Sequence, residues 1–276
     1  MGKKLLLGLV FIFLCFSGFA QAGLRIIIEE SAAGFTIIGA EGRARELVIP
    51  ETIGGIPIIA VGENAFIRSG LTTVTIPDTV ITIGEGAFSH NDLSVLVIGD
   101  NVTTIGQRAF SNNRLNDLSI GAGVLTIGMG AFANNHLETL VIPEGVVTID
   151  AYAFFYNRLT DVTIPDSVIT IGEGAFSSNR MFSVVIGNGV EQIGDGAFFN
   201  NQLVSITIPP SINALGNRVF ESRITRRGAV PPVYFVDVRG TILYTTANNF
   251  DSFFVATGMR PGIYTFSTMD GWVFEE

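Results

Sequence analysis

The sequence has 276 residues, 16 Lys and Arg against 25 Asp and Glu, a formal charge of −9, 47% hydrophobic and 15% charged residues, one Cys and two His. An acidic chain without a basic tract lacks the clustered cations that nucleic-acid binding needs, and so apolar a composition excludes intrinsic disorder. One Cys rules out an internal disulfide and a Cys-rich zinc site, and no metal or other cofactor is expected.

At the N-terminus, Lys3 and Lys4 precede an apolar run over residues 5–16, and Ala20-Gln21-Ala22 places small residues where a signal peptidase reads them. This is the layout of a secretory signal peptide over 1–22, cleaved after Ala22. A lipid anchor on Cys15 is disfavoured, because bulky Leu14 precedes it and apolar sequence follows. Cleavage removes the lone Cys and the only two lysines. The product then has no redox-sensitive thiol and no amine for Schiff-base chemistry. No later segment is apolar for long enough to span a bilayer. The expected destination is the periplasm, the cell surface or the medium.

Residues 23–43 predict an N-terminal cap, with short strands over 24–29 and 35–38 around Ser31-Ala32-Ala33-Gly34. An irregular rung over 44–70 comes next, and from Leu71 the chain aligns with itself in rows of twenty-two. LTTVTIPDTVITIGEGAFSHND is followed by LSVLVIGDNVTTIGQRAFSNNR, LNDLSIGAGVLTIGMGAFANNH and LETLVIPEGVVTIDAYAFFYNR. Then come LTDVTIPDSVITIGEGAFSSNR, MFSVVIGNGVEQIGDGAFFNNQ and a shorter row ending at Arg223. Seven rungs therefore occupy 71–223.

Each column of this alignment has a physical task. Columns 1, 4 and 6 are apolar, and alternation from column 2 to column 6 predicts a short strand with one buried face. Pro or Gly at column 7 ends it. Columns 10 and 13 supply a second apolar pair before the Gly of column 14. Column 18 is Phe in every row, from Phe88 to Phe220, which predicts a spine of stacked rings. The Gly-rich stretch around it is too short for a good α-helix and predicts a 3₁₀ or single α turn, with column 19 on the exposed turn side. Column 21 is Asn in six rows, suited to giving two donors and one acceptor to buried backbone. Stacked rungs would bury what one rung cannot, and seven or eight at about 4.8 Å each make a curved rod roughly 35 Å long.

The pattern L-x-x-V/L-x-I-P/G-x-x-V-x-x-I-G-x-x-A-F-x-x-N resembles the BspA-like bacterial leucine-rich repeats over residues 44–223. The resemblance implies a repeat solenoid, mainly β with short turns and capped at both ends. It also implies a surface or secreted protein that binds other proteins, often from a host; it does not imply an enzyme and fixes no partner.

Beyond the repeat, residues 224–276 predict a β-rich cap or small module. Hairpins are expected around Arg239-Gly240 and Asp270-Gly271, and a short helix capped by Asn249 or Asp251 runs to Val255. No H-E-x-x-H, C-x-x-C, G-x-S-x-G, P-loop or EF-hand pattern occurs. His90 and His136 have no matched nucleophile beside them, so no catalytic residue is assigned.

The informative surface is the outward face of the column 2–6 strand, which is expected to line the concave side. There Val95, Val97, Val141, Phe182 and Val185 predict an apolar strip, interspersed with Asp117 and Asp161. Column 22 adds a positive edge of Arg114, His136, Arg158 and Arg180, and column 8 an acidic edge of Asp78, Asp100, Glu144 and Asp166. Exposed charges steer partners more than they stabilise folds, so docking and plain solvation remain alternatives for both edges. Arg218, Arg223, Arg226 and Arg227 form a basic patch at the last rung. The expected partner is a protein, from a host or from the envelope, with no nucleic acid. The alternative is an envelope spacer that attaches through its C-terminal module.

Overall fold

The computed structural model describes residues 23–203 and 205–220, and the backbone of the strands Pro232–Asp237, Gly240–Thr245, Ile263–Ser267 and Gly271–Glu275. The expected signal peptide over 1–22, the helix before Val255 and Arg223, Arg226 and Arg227 lie outside the described residues.

The chain is a β-solenoid of about eight turns with no helix among the described residues. Column 12–13 dipeptides such as Thr82–Ile83, Thr104–Ile105 and Thr126–Ile127 pair in parallel from rung to rung. They form one long sheet that begins with the antiparallel strands Leu24–Glu30 and Phe35–Gly42 and continues to Ala214–Leu215. The irregular rung contributes Glu46–Val48 and Ile56–Val61, and its five-residue insertion folds back as Thr52–Ile53 around Gly54 and Gly55.

The second sheet uses columns 3–6. Glu46–Val48, Thr73–Ile76, Val95–Ile98 and Asp117–Ser119 form one four-stranded parallel set. Asp161–Ile164, Ser183–Ile186 and Ser205–Thr207 begin another, which Pro232–Asp237 continues in parallel and Gly240–Thr245 completes. No strand joins the two sets. At rung 4, residues 139–142 lie between them without strand pairing.

A third ladder runs through the turns. Gly86, Phe88 and His90 donate their N–H groups to the carbonyls of Gln107, Ala109 and Ser111, 2.7–3.0 Å away on the next rung. The 3₁₀ or α turn expected here takes another form. Two successive turns close through Ala87 N–H to Gly84 O and Ser89 N–H to Gly86 O, with Gly86 at φ 60° and His90 at φ 58°. Columns 16 and 20 are left-handed in rung after rung, which breaks any helical run.

The core is continuous along the rod. Phe66, Phe88, Phe110, Phe132, Phe154, Phe176, Phe198 and Phe220 stack with centroids 5.1–5.6 Å apart and planes within 16°. That spacing exceeds the strand repeat, so the rings are offset and avoid face-to-face repulsion. Column 14 glycines allow the rungs to approach this closely. A Cβ at Gly106 would stand 2.6 Å from the carbonyl carbon of Gly84.

The column 21 asparagines tie the corners. Asn113 accepts the Leu93 N–H through Oδ1 at 3.0 Å and donates from Nδ2 to the carbonyls of Phe88 and Phe110, both at 3.0 Å. Asn91, Asn135, Asn157, Asn179 and Asn201 repeat the set. Each buried amide thus satisfies one donor and two acceptors that the tight coil would otherwise strand.

Candidate functional site

In Thr73–Ile76, Val95–Ile98, Asp161–Ile164 and Ser183–Ile186, columns 4 and 6 turn inward and columns 3 and 5 turn outward. In Val95–Ile98, Leu96 and Ile98 are buried, Val95 is half-buried and Val97 is 40% exposed. Val185 is 44% exposed on Ser183–Ile186, and Phe182 just before that strand is 45% exposed. Val141 stands out at 81%. Asp117 and Asp161 are exposed at the first position of their strands.

These residues share a face but do not make the continuous apolar strip that the composition of the columns suggested. Val95 pairs with Asp117 and Val97 with Ser119, while Asp161 pairs with Ser183 and Thr163 with Val185. Polar rungs 3 and 5 therefore separate the valines of rung 2 from Phe182 and Val185, and only Val141 lies between. The physical reason is that outward positions are free to vary from rung to rung, while inward ones are not.

The two charged edges differ in kind. In column 22, Arg114 and Arg180 are exposed and Arg158 and His136 half-buried, and Arg114 pairs with Asp92 at 3.1 Å. Burial, and then the cations Arg158 and Arg114 on the rungs beside it, hold the His136 imidazole below its ordinary pKa. A nominally positive column thus carries a neutral residue at its centre.

Column 8 is largely architectural. Asp78 Oδ1 accepts the Asp100 N–H at 2.8 Å, Asp100 Oδ1 accepts that of Ala122 at 3.0 Å, and Asp166 Oδ1 accepts that of Asn188 at 2.6 Å. Each carboxylate thus anchors the start of the next loop. The series breaks at rung 3, where Ala122 occupies the position, and Glu144 on rung 4 makes no such bond to Asp166.

The break coincides with the gap in the sheet. The backbone N–H and C=O groups of residues 139–142 make no hydrogen bond, and Leu140, unlike Leu96 and Val162, is only half-buried. A cleft of about 400 Å³ opens there, lined by Glu138, Thr139, Leu140, Val141, Asp161 and Thr163 among others.

On the turn side, column 19 departs from expectation. Ser111 is 2% and Ala133 7% exposed, because the left-handed residue that follows folds the chain back over them. Rung 4 is unusual here too. Tyr152 and Tyr156 hold the two left-handed positions at φ 58° and 55°, a genuine departure for bulky side chains. The Tyr152 hydroxyl donates to Glu173, which raises its pKa, and its ring lies against Gly174, where a Cβ would meet it at 2.5 Å.

Among the described residues no cluster of His, Cys, Asp and Glu could hold a metal ion, and no helix is long and apolar enough to cross a membrane. Sequence reasoning missed the rung 4 cleft, because the segment LETLVIP is as good a strand sequence as its neighbours.

A sequence profile of the BspA type leucine rich repeat region matches residues 45–159 and 147–226 in six copies, about two thirds of the chain. A leucine-rich repeat protein from Bacteroides ovatus is 26% identical over 72% of this chain and 55% of its own, with a TM-score of 0.57. The chain thus spans little more than half of that protein. A leucine rich cell surface protein from Faecalibacterium prausnitzii is 24% identical over 72% of each chain, with a TM-score of 0.43. The leucine rich repeat protein of T. pallidum is 24% identical over 70% of this chain and 79% of its own, with a TM-score of 0.47. No curated protein matches.

Proposed function

The chain belongs to the BspA type leucine-rich repeat family, and from that premise we propose an exported, non-enzymatic binding protein that docks a protein partner on the outward face of its second sheet. The observation that carries this reading is the exposure of Val97, Val141, Phe182 and Val185 on one face of the solenoid. Apolar side chains turned to water over several rungs, around an open cleft, suit a broad partner better than a small molecule. Asp117 and Asp161 beside them, and Arg114, His136, Arg158 and Arg180 along the edge, would orient the partner by charge. Export is supported by the leader-like composition of residues 1–22.

The rival reading, an envelope spacer attached through residues 224–276, needs a C-terminal module free to engage elsewhere. The parallel pairing of Pro232–Asp237 with Ser205–Thr207 instead favours a cap over the last rung.

The test is a pair of charge insertions. Val97→Arg with Val141→Arg places two cations on outward positions and should cut binding of a captured partner by at least tenfold, because docking would desolvate them unpaired. Glu85→Arg with Met129→Arg alters exposed turn-side positions and should leave binding nearly intact. The reverse outcome would move the site to the turns.

A further inference from the structure

Rung 4 has a property that no other rung between Leu71 and Leu203 shares. Residues 139–142 carry four consecutive peptide groups with no backbone partner. Asp117–Ser119 on one side pairs only with Val95–Ile98, and Asp161–Ile164 on the other pairs only with Ser183–Ile186. Extended backbone with free donors and acceptors is the template that strand addition uses. A cleft of about 400 Å³ lies along it, with Leu140, Ile142 and Val162 on its floor and the exposed Val141 at its rim.

The charge of the cleft selects the occupant. Glu138, Glu144 and Asp161 line it, and no Lys, Arg or His does. Asp161 accepts the Ser183 hydroxyl at 2.6 Å, while among the described residues Glu138 and Glu144 have no ion-pair partner. An acidic partner would be repelled here, and a cationic one would meet three carboxylates.

We propose that the opened rung is a strand-acceptor site for an extended segment whose side chains alternate between lysine or arginine and small apolar residues. The segment pairs its backbone with residues 139–142, places its cations by Glu138, Glu144 and Asp161, and covers Val141 with its apolar side chains. This deepens the reading given above and rests on it, because the cleft lies on the same face.

The experiment uses the full chain and a blocked nine-residue peptide of alternating lysine and valine. Two further probes are the same peptide N-methylated at alternate residues, and its glutamate–valine counterpart. Hydrogen exchange is expected to show residues 139–142 exchanging freely in the unbound protein and slowed by the lysine peptide. The N-methylated and glutamate peptides should not protect them. Glu138→Gln with Glu144→Gln should weaken the lysine peptide roughly fivefold at low salt, as two exposed ion pairs would, while leaving the melting temperature unchanged. Protection confined to residues 95–98 or 183–186 would overturn the strand-acceptor site yet leave the wider face reading standing. Equal binding of all three peptides, or no binding of the lysine peptide at millimolar concentration, would also overturn it. The face reading is judged separately by Val97→Arg with Val185→Arg, two exposed positions outside the opened rung.

Discussion

Asp100 reaches one rung forward to accept the backbone N–H of Ala122 at 3.0 Å, and Ala122 has no carboxylate to offer the rung after it. The neighbouring Asp78 and Asp166 complete the same step on their own rungs, so the interruption is local to rungs 3 and 4. Ala122→Asp should restore an acceptor for the Glu144 N–H and draw rung 4 into register. The expected gain is about 1 kcal/mol, one charged hydrogen bond net of solvation. Hydrogen exchange at residues 139–144 should slow in step with a higher melting temperature, and unchanged exchange would show that the missing carboxylate does not keep the rung open.

Phe132 lies between Phe110 at 5.4 Å and Phe154 at 5.3 Å and is fully buried. Phe132→Ala leaves a hole in the middle of the stack with intact rungs on both sides. It should cost about 3–5 kcal/mol, as large-to-small core changes do. Chemical denaturation with an unchanged midpoint would contradict the packing described.

Asn135 accepts the Leu115 N–H and donates to the carbonyls of Phe110 and Phe132. Asn135→Ala strands buried groups and should cost about 3 kcal/mol. Asn135→Asp keeps the acceptor but turns a carboxylate towards two carbonyls, so at neutral pH it should be at least as damaging. Burial and those carbonyls raise the pKa of the introduced acid above its unfolded value. Protonation therefore favours the folded state, and this variant should recover stability relative to Asn135→Ala as pH falls from the raised folded pKa towards the unfolded value of about 3.9, with no further gain below it. A pair of denaturation series across pH reads the difference directly.

His136 titrates below its ordinary value because of burial and the cations Arg158 and Arg114. Its folded pKa is depressed, so its contribution to stability is present above the unfolded pKa near 6.5 and falls away as pH drops below it. Arg158→Gln removes one of the repelling cations, and the imidazole midpoint followed by proton NMR should move upward. A midpoint that stays in place would show that Arg158 has no part in setting it.

The repeating parts of the fold were legible because every rung demands the same chemistry of them. A column that is Phe in every row has to be interior, and a column of Asn has to answer the same buried backbone groups each time, as Asn113 does for Leu93, Phe88 and Phe110. What escaped was relational. Thr139-Leu140-Val141-Ile142 reads as a strand, and nothing within it announces that it will stay unpaired. The signal lies a rung away, in the Ala at position 122. The left-handed corners were hidden because Gly86, Gly130, Gly174 and Gly196 mark column 16, but Arg108, Tyr152 and Arg218 stand in the same place. The burial of Ser111 escaped for a similar reason, since a small hydroxyl looks like a loop residue until the Ser89 hydroxyl is found 3.0 Å away.

Rung 4 is held to its neighbours on two sides and released on the third. Thr148–Ile149 pairs both ways in the long sheet, Phe154 stacks between Phe132 and Phe176, and residues 139–142 make no backbone hydrogen bond to the described residues of either neighbouring rung. A beam clamped in this way has a preferred direction of bending. Under load the rod yields by opening on the side of Val141, and the long sheet and the phenylalanine column act as the hinge line. Rungs 1–3 and rungs 5–6 would then change their mutual angle about that line, and the spacing between Val97 and Val185 would change with it.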